Sequence, residues 1–217
     1  MFDTVLRRRL APVLDAAAGA IDRRFLTPDR LTGAGLILGL ASAGAAGMGW
    51  WWPSLALWLT SRIADGLDGA LARRRCTAGG SGSAAGGFFD ITADFCVYGA
   101  TVVGVAVGAT TQFGAPWWPF LAVLLAYYVN GTAFLAFSSI AERVGTRIDS
   151  GRSLSFLGGL TEGAETIVVH SLWLVMPGVA APIAVVWAVL VGMTACHRMV
   201  VGHRILRGAQ GNAEEVG

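Results

Sequence analysis

Long apolar runs alternate along this chain with short polar or aromatic breaks, and six of the runs read as membrane-spanning helices. They cover about Leu31–Gly49, Ser54–Leu71, Phe88–Gly108, Phe120–Ile140, Thr161–Met176 and Pro182–Val201, the fifth being short. Pro28 sets a turn before the first run, where Thr27 or Asp29 can cap the helix. Trp50-Trp51-Trp52-Pro53 and Pro116-Trp117-Trp118-Pro119 are aromatic turns suited to the far interface. Ahead of the runs, Leu6, Leu10, Val13 and Leu14 fall on one side of a helix, with Arg7, Arg8 and Arg9 among or opposite them. Such a helix lies along an anionic membrane surface or serves as a plain anchor before the first span; the two uses are compatible. The pattern predicts an all-α integral membrane protein. Residues 1–28 form an amphipathic juxtamembrane helix, residues 29–205 a six-helix transmembrane domain, and residues 206–217 a polar, disordered tail.

Composition supports this class. Hydrophobic residues make up 54% of the chain and charged ones 14%, where a soluble domain carries about a quarter. Eight Trp and thirty Gly fit interfaces and close helix contacts. Three cysteines without CxxC spacing suggest neither a disulfide framework nor a zinc site. The N-terminus lacks the unbroken apolar core of a signal peptide.

Charge sets the orientation. Every Lys-or-Arg position is Arg, and the turns near residues 50, 112 and 179 carry no Arg, Asp or Glu. The arginines fall at the N-terminus, at one end of the second run, between the fourth and fifth, and around the C-terminus. The positive-inside rule places both termini on the cytoplasmic side, in a bacterial inner (plasma) membrane. No nucleic-acid partner is expected.

Two aspartate clusters lie at that cytoplasmic boundary. Asp65 and Asp68 are three apart and share a helix face; Asp90 and Asp94 are four apart and share another. One pair ends a span going inward and the other begins a span going outward, so both reach the same depth. Carboxylates there cost roughly 2.5–3.5 kcal/mol each on insertion scales. Asp–Arg pairing or snorkelling would relieve one pair. Two pairs on adjacent helices, with Gly66, Gly69, Ala70, Ala72, Gly86 and Gly87 leaving room between, point to a hard divalent cation. Two ions could share the site and polarise a phosphoryl group, while Arg73 could fork onto phosphate oxygens.

The residues Asp65, Asp68, Gly69, Ala72, Arg73, Gly86, Asp90 and Asp94 resemble the motif D-x2-D-G-x2-A-R-x8-G-x3-D-x3-D of the CDP-alcohol phosphotransferase family. Twelve residues, not eight, separate Arg73 from Gly86, and the extra ones fall in a Gly/Ser-rich turn where length is cheap. The six spans and the T-P-D-R-L-T entry to the first are similar to the family as well. The resemblance implies transfer of a substituted phosphate, here diacylglycerol phosphate, from a CDP-linked donor to an alcohol with release of CMP. It implies Mg²⁺ or Mn²⁺, two ions, on Asp65, Asp68 and Asp90, with Asp94 beside them as general base and within the metal-binding set. Gly69, Ala72 and Arg73 would meet the CDP donor, as would Asp29, Arg30, Leu31 and Thr32 at the entry to the first span and Ser83 in the turn. CDP-diacylglycerol is the expected donor, and a homodimer the expected assembly.

The acceptor side offers two sets of residues. Glu162 and Glu165 begin the fifth run, where they either favour the helix N-terminus or line an acceptor pocket for a polyol or amino alcohol. Arg143, Arg147, Arg152 and Arg198 either fix topology or bind a phosphorylated acceptor. Two other readings are a divalent-cation transporter, which would need acids deeper along the spans, and a silent family member acting as an assembly partner, against which the intact motif argues.

Overall fold

The computed structural model describes residues 2–23, 25–77, 83–143 and 163–214. Among them the backbone is helical, with no strand. Seven α-helices follow in order: α1 (Phe2–Ile21), α2 (Pro28–Gly47), α3 (Trp51–Thr77), α4 (Ala84–Phe113), α5 (Trp118–Arg143), α6 (Gly163–Val175) and α7 (Ala180–Glu214). A single 3-10 turn, Pro177–Val179, joins the last two.

Local chemistry explains where the helices begin and end. Thr27 caps α2 by accepting from the Arg30 N–H at 3.3 Å, with Pro28 at the first helical position, where its missing N–H costs nothing. Ser83 caps α4 in the same way, accepting from the Gly86 N–H at 3.0 Å. Gly114 ends α4 in the left-handed conformation at φ +66°, which other residues resist.

Helix α2 packs against both α3 and α4, and α5 pairs with α7. Close approach of α2 and α4 depends on missing side chains: a Cβ on Gly104 would overlap the Ala43 carbonyl oxygen, and one on Gly108 that of Ala46. Ser42 and Ser54 lock α2 to α3, each hydroxyl donating to the other's carbonyl at 2.8 Å. One apolar core then joins both groups, with Trp58 of α3, Val97 and Val102 of α4, Phe120 of α5, Trp173 of α6 and Trp187 of α7 buried in it. The short α1 docks on α3, with Ala18 and Leu14 against Ala70 and Leu71.

Helices α4 and α5 and the segment 177–208 are long and apolar enough to cross a membrane. The other expected spans form helices of different character. Helix α3 carries Arg62, Asp65, Asp68 and Arg73–Arg75 in its second half, and α6 has only 13 residues. The tail expected to be disordered from residue 206 is helical as far as Glu214. Extending an existing helix adds one hydrogen bond per residue fixed, without the cost of nucleation.

Gly104→Leu is expected to lower the thermal unfolding midpoint in detergent by many degrees, because α2 and α4 must separate to admit the side chain. Gly99→Ala on the same helix, where an added Cβ meets nothing within 4 Å, should leave the midpoint nearly unchanged.

Candidate active site

Helix α2 packs against both α3 and α4, and beside it the later turns of α3 and the first turns of α4 face one another, which brings the two aspartate clusters together. Asp65, Asp68 and Asp90 each present a carboxylate oxygen, all within 4.8 Å of one another. Oxygens around one divalent ion, held at about 2.0–2.6 Å, lie roughly 4–5 Å apart or closer, so the trio fits such an ion. Asp68 is buried and the other two half-buried. Thr32 reaches in from α2 and donates its hydroxyl proton to Asp68 Oδ2 at 2.5 Å. In this position the threonine fixes the rotamer of a carboxylate.

Asp94 stands beside the trio and pairs with a residue that the sequence reading counted only among topology-setting arginines. Arg62 Nη1 lies 2.6 Å from Asp94 Oδ1 and 3.6 Å from Asp65 Oδ1. The Arg62 side chain is 5% exposed. Its guanidinium carbon sits 5.2 Å from the Trp58 ring centre and 5.1 Å from that of Tyr98, and Nη2 donates to Ser61 Oγ at 3.0 Å. An i, i+3 relation between Arg62 and Asp65 was the available signal.

An aromatic group lies behind Arg62. The His170 ring stacks on Trp173 at 4.7 Å and lies 5.0 Å from Trp58. The Tyr127 hydroxyl accepts from the Trp187 indole N–H at 2.7 Å and meets His170 Nε2 at 2.9 Å. Trp58 donates to Ser171 Oγ at 3.1 Å. Four helices thus fix the rings against which the guanidinium rests.

The remaining expected site residues are distributed around this centre. Asp29, exposed at the start of α2, lies close to α4, its Oδ1 3.0 Å from where a Gly86 Cβ would be. Arg30 turns back to the Phe25 carbonyl at 2.5 Å, and Leu31 packs against the small cluster of Ala18, Ala70 and Leu71. Arg73 is exposed, with Nη1 3.3 Å from the place a Cβ on Gly69 would take, so the glycine gives the guanidinium room. Ala72 is half-buried one residue before it. Ser83 is the α4 cap. Glu165 is half-buried on the first turn of α6, and Arg143 is exposed at the end of α5. Arg147, Arg152 and Glu162 lie outside the described residues. Arg198 is buried on α7, where it donates to Asn130 Oδ1 at 2.9 Å and lies over the Phe134 ring.

Fold and site together define a helical membrane protein with an acidic centre suited to a divalent cation. Residues 25–194 match the CDP-alcohol phosphatidyltransferase family, and the chain belongs to that family. It is 35% identical over 215 residues to the inner membrane protein YnjF of Escherichia coli K12, covering 97% of this chain and 99% of that one. It is 28% identical over 169 residues to a phosphatidylinositol phosphate synthase of Mycobacteroides abscessus, covering 75% and 68% of the two chains. Among solved structures, the Mycobacterium tuberculosis phosphatidylinositol phosphate synthase PgsA1 with CDP-DAG bound shares the fold, with a TM-score of 0.68 at 22% identity over 88% of this chain and 94% of that one. The same enzyme in complex with manganese and citrate gives 0.67 at 23% identity, over 87% and 88%.

Thr32→Val is expected to weaken Mn²⁺ binding about 10-fold or more, the usual loss when a ligand's orienting partner is removed, while Thr32→Ser keeps it within about threefold. Isothermal titration calorimetry on the purified protein reads both.

Proposed function

We propose that this protein transfers a diacylglycerol phosphate from CDP-diacylglycerol to an alcohol, releasing CMP, in phospholipid synthesis. The observation that carries this reading is the convergence of Asp65, Asp68 and Asp90 beside Asp94, on the two helix ends that hold the family motif. CDP-DAG is present in the related M. tuberculosis enzyme and manganese in its second structure, which supports a CDP-lipid donor and a divalent metal here.

In this reading Asp65, Asp68 and Asp90 hold Mg²⁺ or Mn²⁺, which when bound offsets the charge of the diphosphate and of the departing CMP. Asp94 accepts the proton of the acceptor hydroxyl as its oxygen forms a bond to the lipid-bearing phosphorus. The bridging P–O bond breaks and its electrons leave with CMP. Arg62 holds the Asp94 carboxylate in place, and Arg73 binds phosphate oxygens at the mouth of the site.

An apolar groove between α6 and α7 suits the donor's acyl chains. It holds about 950 Å³ and is lined by Ala164, Val168, Ile183, Val186 and Leu190, with Arg9 and Glu165 its charged liners. Glu165 therefore borders a lipid-sized space, which favours its use near the donor over a polyol pocket. The acids of α3 and α4 cluster at one end of those helices, where a transport pathway would need them deeper. In our reading the six helices α2–α7 span the membrane, the protein is a homodimer through small-residue helix faces, and both termini and the aspartates face the cytoplasm of a bacterial inner membrane.

Purified protein given CDP-diacylglycerol, Mg²⁺ and a panel of polyols, amino alcohols and phosphorylated alcohols should release CMP with at least one of them. Chelation by EDTA should abolish the release, and Asp94→Asn should lower it by about 10²–10⁴-fold. No CMP with any alcohol would overturn the reading; full activity of the variant would overturn the role of Asp94. For orientation, Cys76 is exposed at the end of α3. With the other two cysteines removed, a membrane-impermeant maleimide should label it in inverted vesicles and not in intact cells.

A further inference from the structure

We infer that Trp187 of α7 and Tyr127 of α5 are positioning residues for the acceptor step. They fix His170, His170 fixes the rings that aim Arg62, and the pair thereby acts on turnover and not on donor binding. The inference rests on the transfer reading, in which Arg62 holds the Asp94 carboxylate in place.

Trp187 belongs to two places at once. Its ring is 3% exposed and forms part of the wall of the apolar groove between α6 and α7, where contact with lipid is its plain assignment. Its indole N–H, however, donates to Tyr127 Oη at 2.7 Å, and Tyr127 Oη meets His170 Nε2 at 2.9 Å. The His170 ring is fully buried, and its Nδ1 has no hydrogen-bond partner among the described residues. Tyr127 is therefore the polar contact that sets how this ring is turned, and Trp187 is what holds the Tyr127 hydroxyl.

His170 in turn meets both rings that flank the guanidinium. Its centre lies 5.0 Å from that of Trp58 and 5.7 Å from that of Tyr98, which it meets edge-on. Trp58 has a second anchor in Ser171, so the effect passes chiefly through Tyr98. The Arg62 guanidinium carbon stands 5.1 Å from the Tyr98 ring centre, and the buried Arg62 Nε has no hydrogen-bond partner among the described residues. Attraction between a cation and a ring requires the cation to stay over the ring face, so a Tyr98 ring that tilts takes the guanidinium with it. Arg62 Nη1 is 2.6 Å from Asp94 Oδ1, and a displacement of about 1 Å at a reacting group costs as much as about 10²-fold in rate. Side-chain contacts thus run without a break from the groove wall to the proposed base.

Trp187→Phe keeps a ring in the groove wall and removes only the N–H; Tyr127→Phe keeps the ring and removes the oxygen. With CDP-diacylglycerol and an accepted alcohol, each should lower kcat about 10-fold while KM for the donor stays within about twofold. The double variant should be no worse than Tyr127→Phe alone, because both changes cut one chain of contacts. Trp50→Phe, which alters an exposed indole at the far end of the bundle, should change neither constant. A raised KM with unchanged kcat would make Trp187 a lipid contact only and overturn the proposal, as would losses that multiply in the double variant. A second measurement needs no turnover. In the full-length protein labelled with ¹⁵N-arginine, the side-chain signals of Arg62 are those lost in Arg62→Lys, and both Phe variants should shift them. Unmoved Arg62 signals would overturn the proposal. Should Tyr127→Phe fail to fold, the kcat, KM and Arg62 signals of Trp187→Phe decide it. A wild type that releases no CMP with any alcohol would sink the transfer reading, a separate failure, and the Arg62 signals would then decide whether the chain of contacts exists.

Discussion

Opposite charge placed beside carboxylates is the condition on which this structure depends. Helices α3 and α4 bring four aspartates into one largely half-buried cluster, and carboxylates so close repel one another unless a cation stands between them. Arg62 is the cation the fold provides, buried and facing Asp65 and Asp94 at once. Its placement depends on the aromatic group behind it. Trp58 positions the guanidinium, His170 and Ser171 position Trp58, and Tyr127 and Trp187 position His170. Side chains on α3, α5, α6 and α7 therefore act on the geometry of an acid on α4.

The second condition is that the helices come close enough for the clusters to face each other. Gly104 and Gly108 set the separation of α2 and α4 near the far end, where backbone meets backbone. Gly86 does so near the site, where a side chain would press on Asp29. With α2 held this way, Thr32 falls opposite Asp68 and can orient it. The small residues and the acids thus belong to one design, since the first allow the second to converge.

Much of this was legible in the sequence. Spacings of three and four put each aspartate pair on one helix face, and the order of the runs suggested that the two pairs meet; the structure brings Asp65, Asp68 and Asp90 together. The helix start at Thr27 followed from capping chemistry, whereas α4, capped by Ser83, begins four residues before the expected start near Phe88. Arg62 was not singled out because an arginine near the cytoplasmic end of a span serves orientation in the general case, and only tertiary packing shows it turned inward. The aromatic group was illegible for a similar reason. Trp58 and His170 stand 112 residues apart, and an isolated histidine on an apolar helix gives no sign of its partners. Thr32 was assigned to the ligand because it belongs to the segment at the entry to α2; its contact with Asp68 required knowing how α2 crosses α3.

The longer connection between Arg73 and Gly86 is partly helix. Helix α3 continues for one turn, Arg74–Thr77, past Arg73, and that turn has partners of its own. Arg75 donates to Asp22 Oδ1 at 2.8 Å and to the Leu26 carbonyl at 2.8 Å, while Arg74 lies 3.6 Å from Asp22 Oδ2. Exposed ion pairs of this kind contribute little to stability, at about 0–1 kcal/mol each. What they do is geometric. They tie the segment between α1 and α2 to the end of α3, and so fix the entry of α2 from which Thr32 reaches Asp68. A stretch that reads as spare length in the motif thereby helps to hold the first contact of the acidic centre.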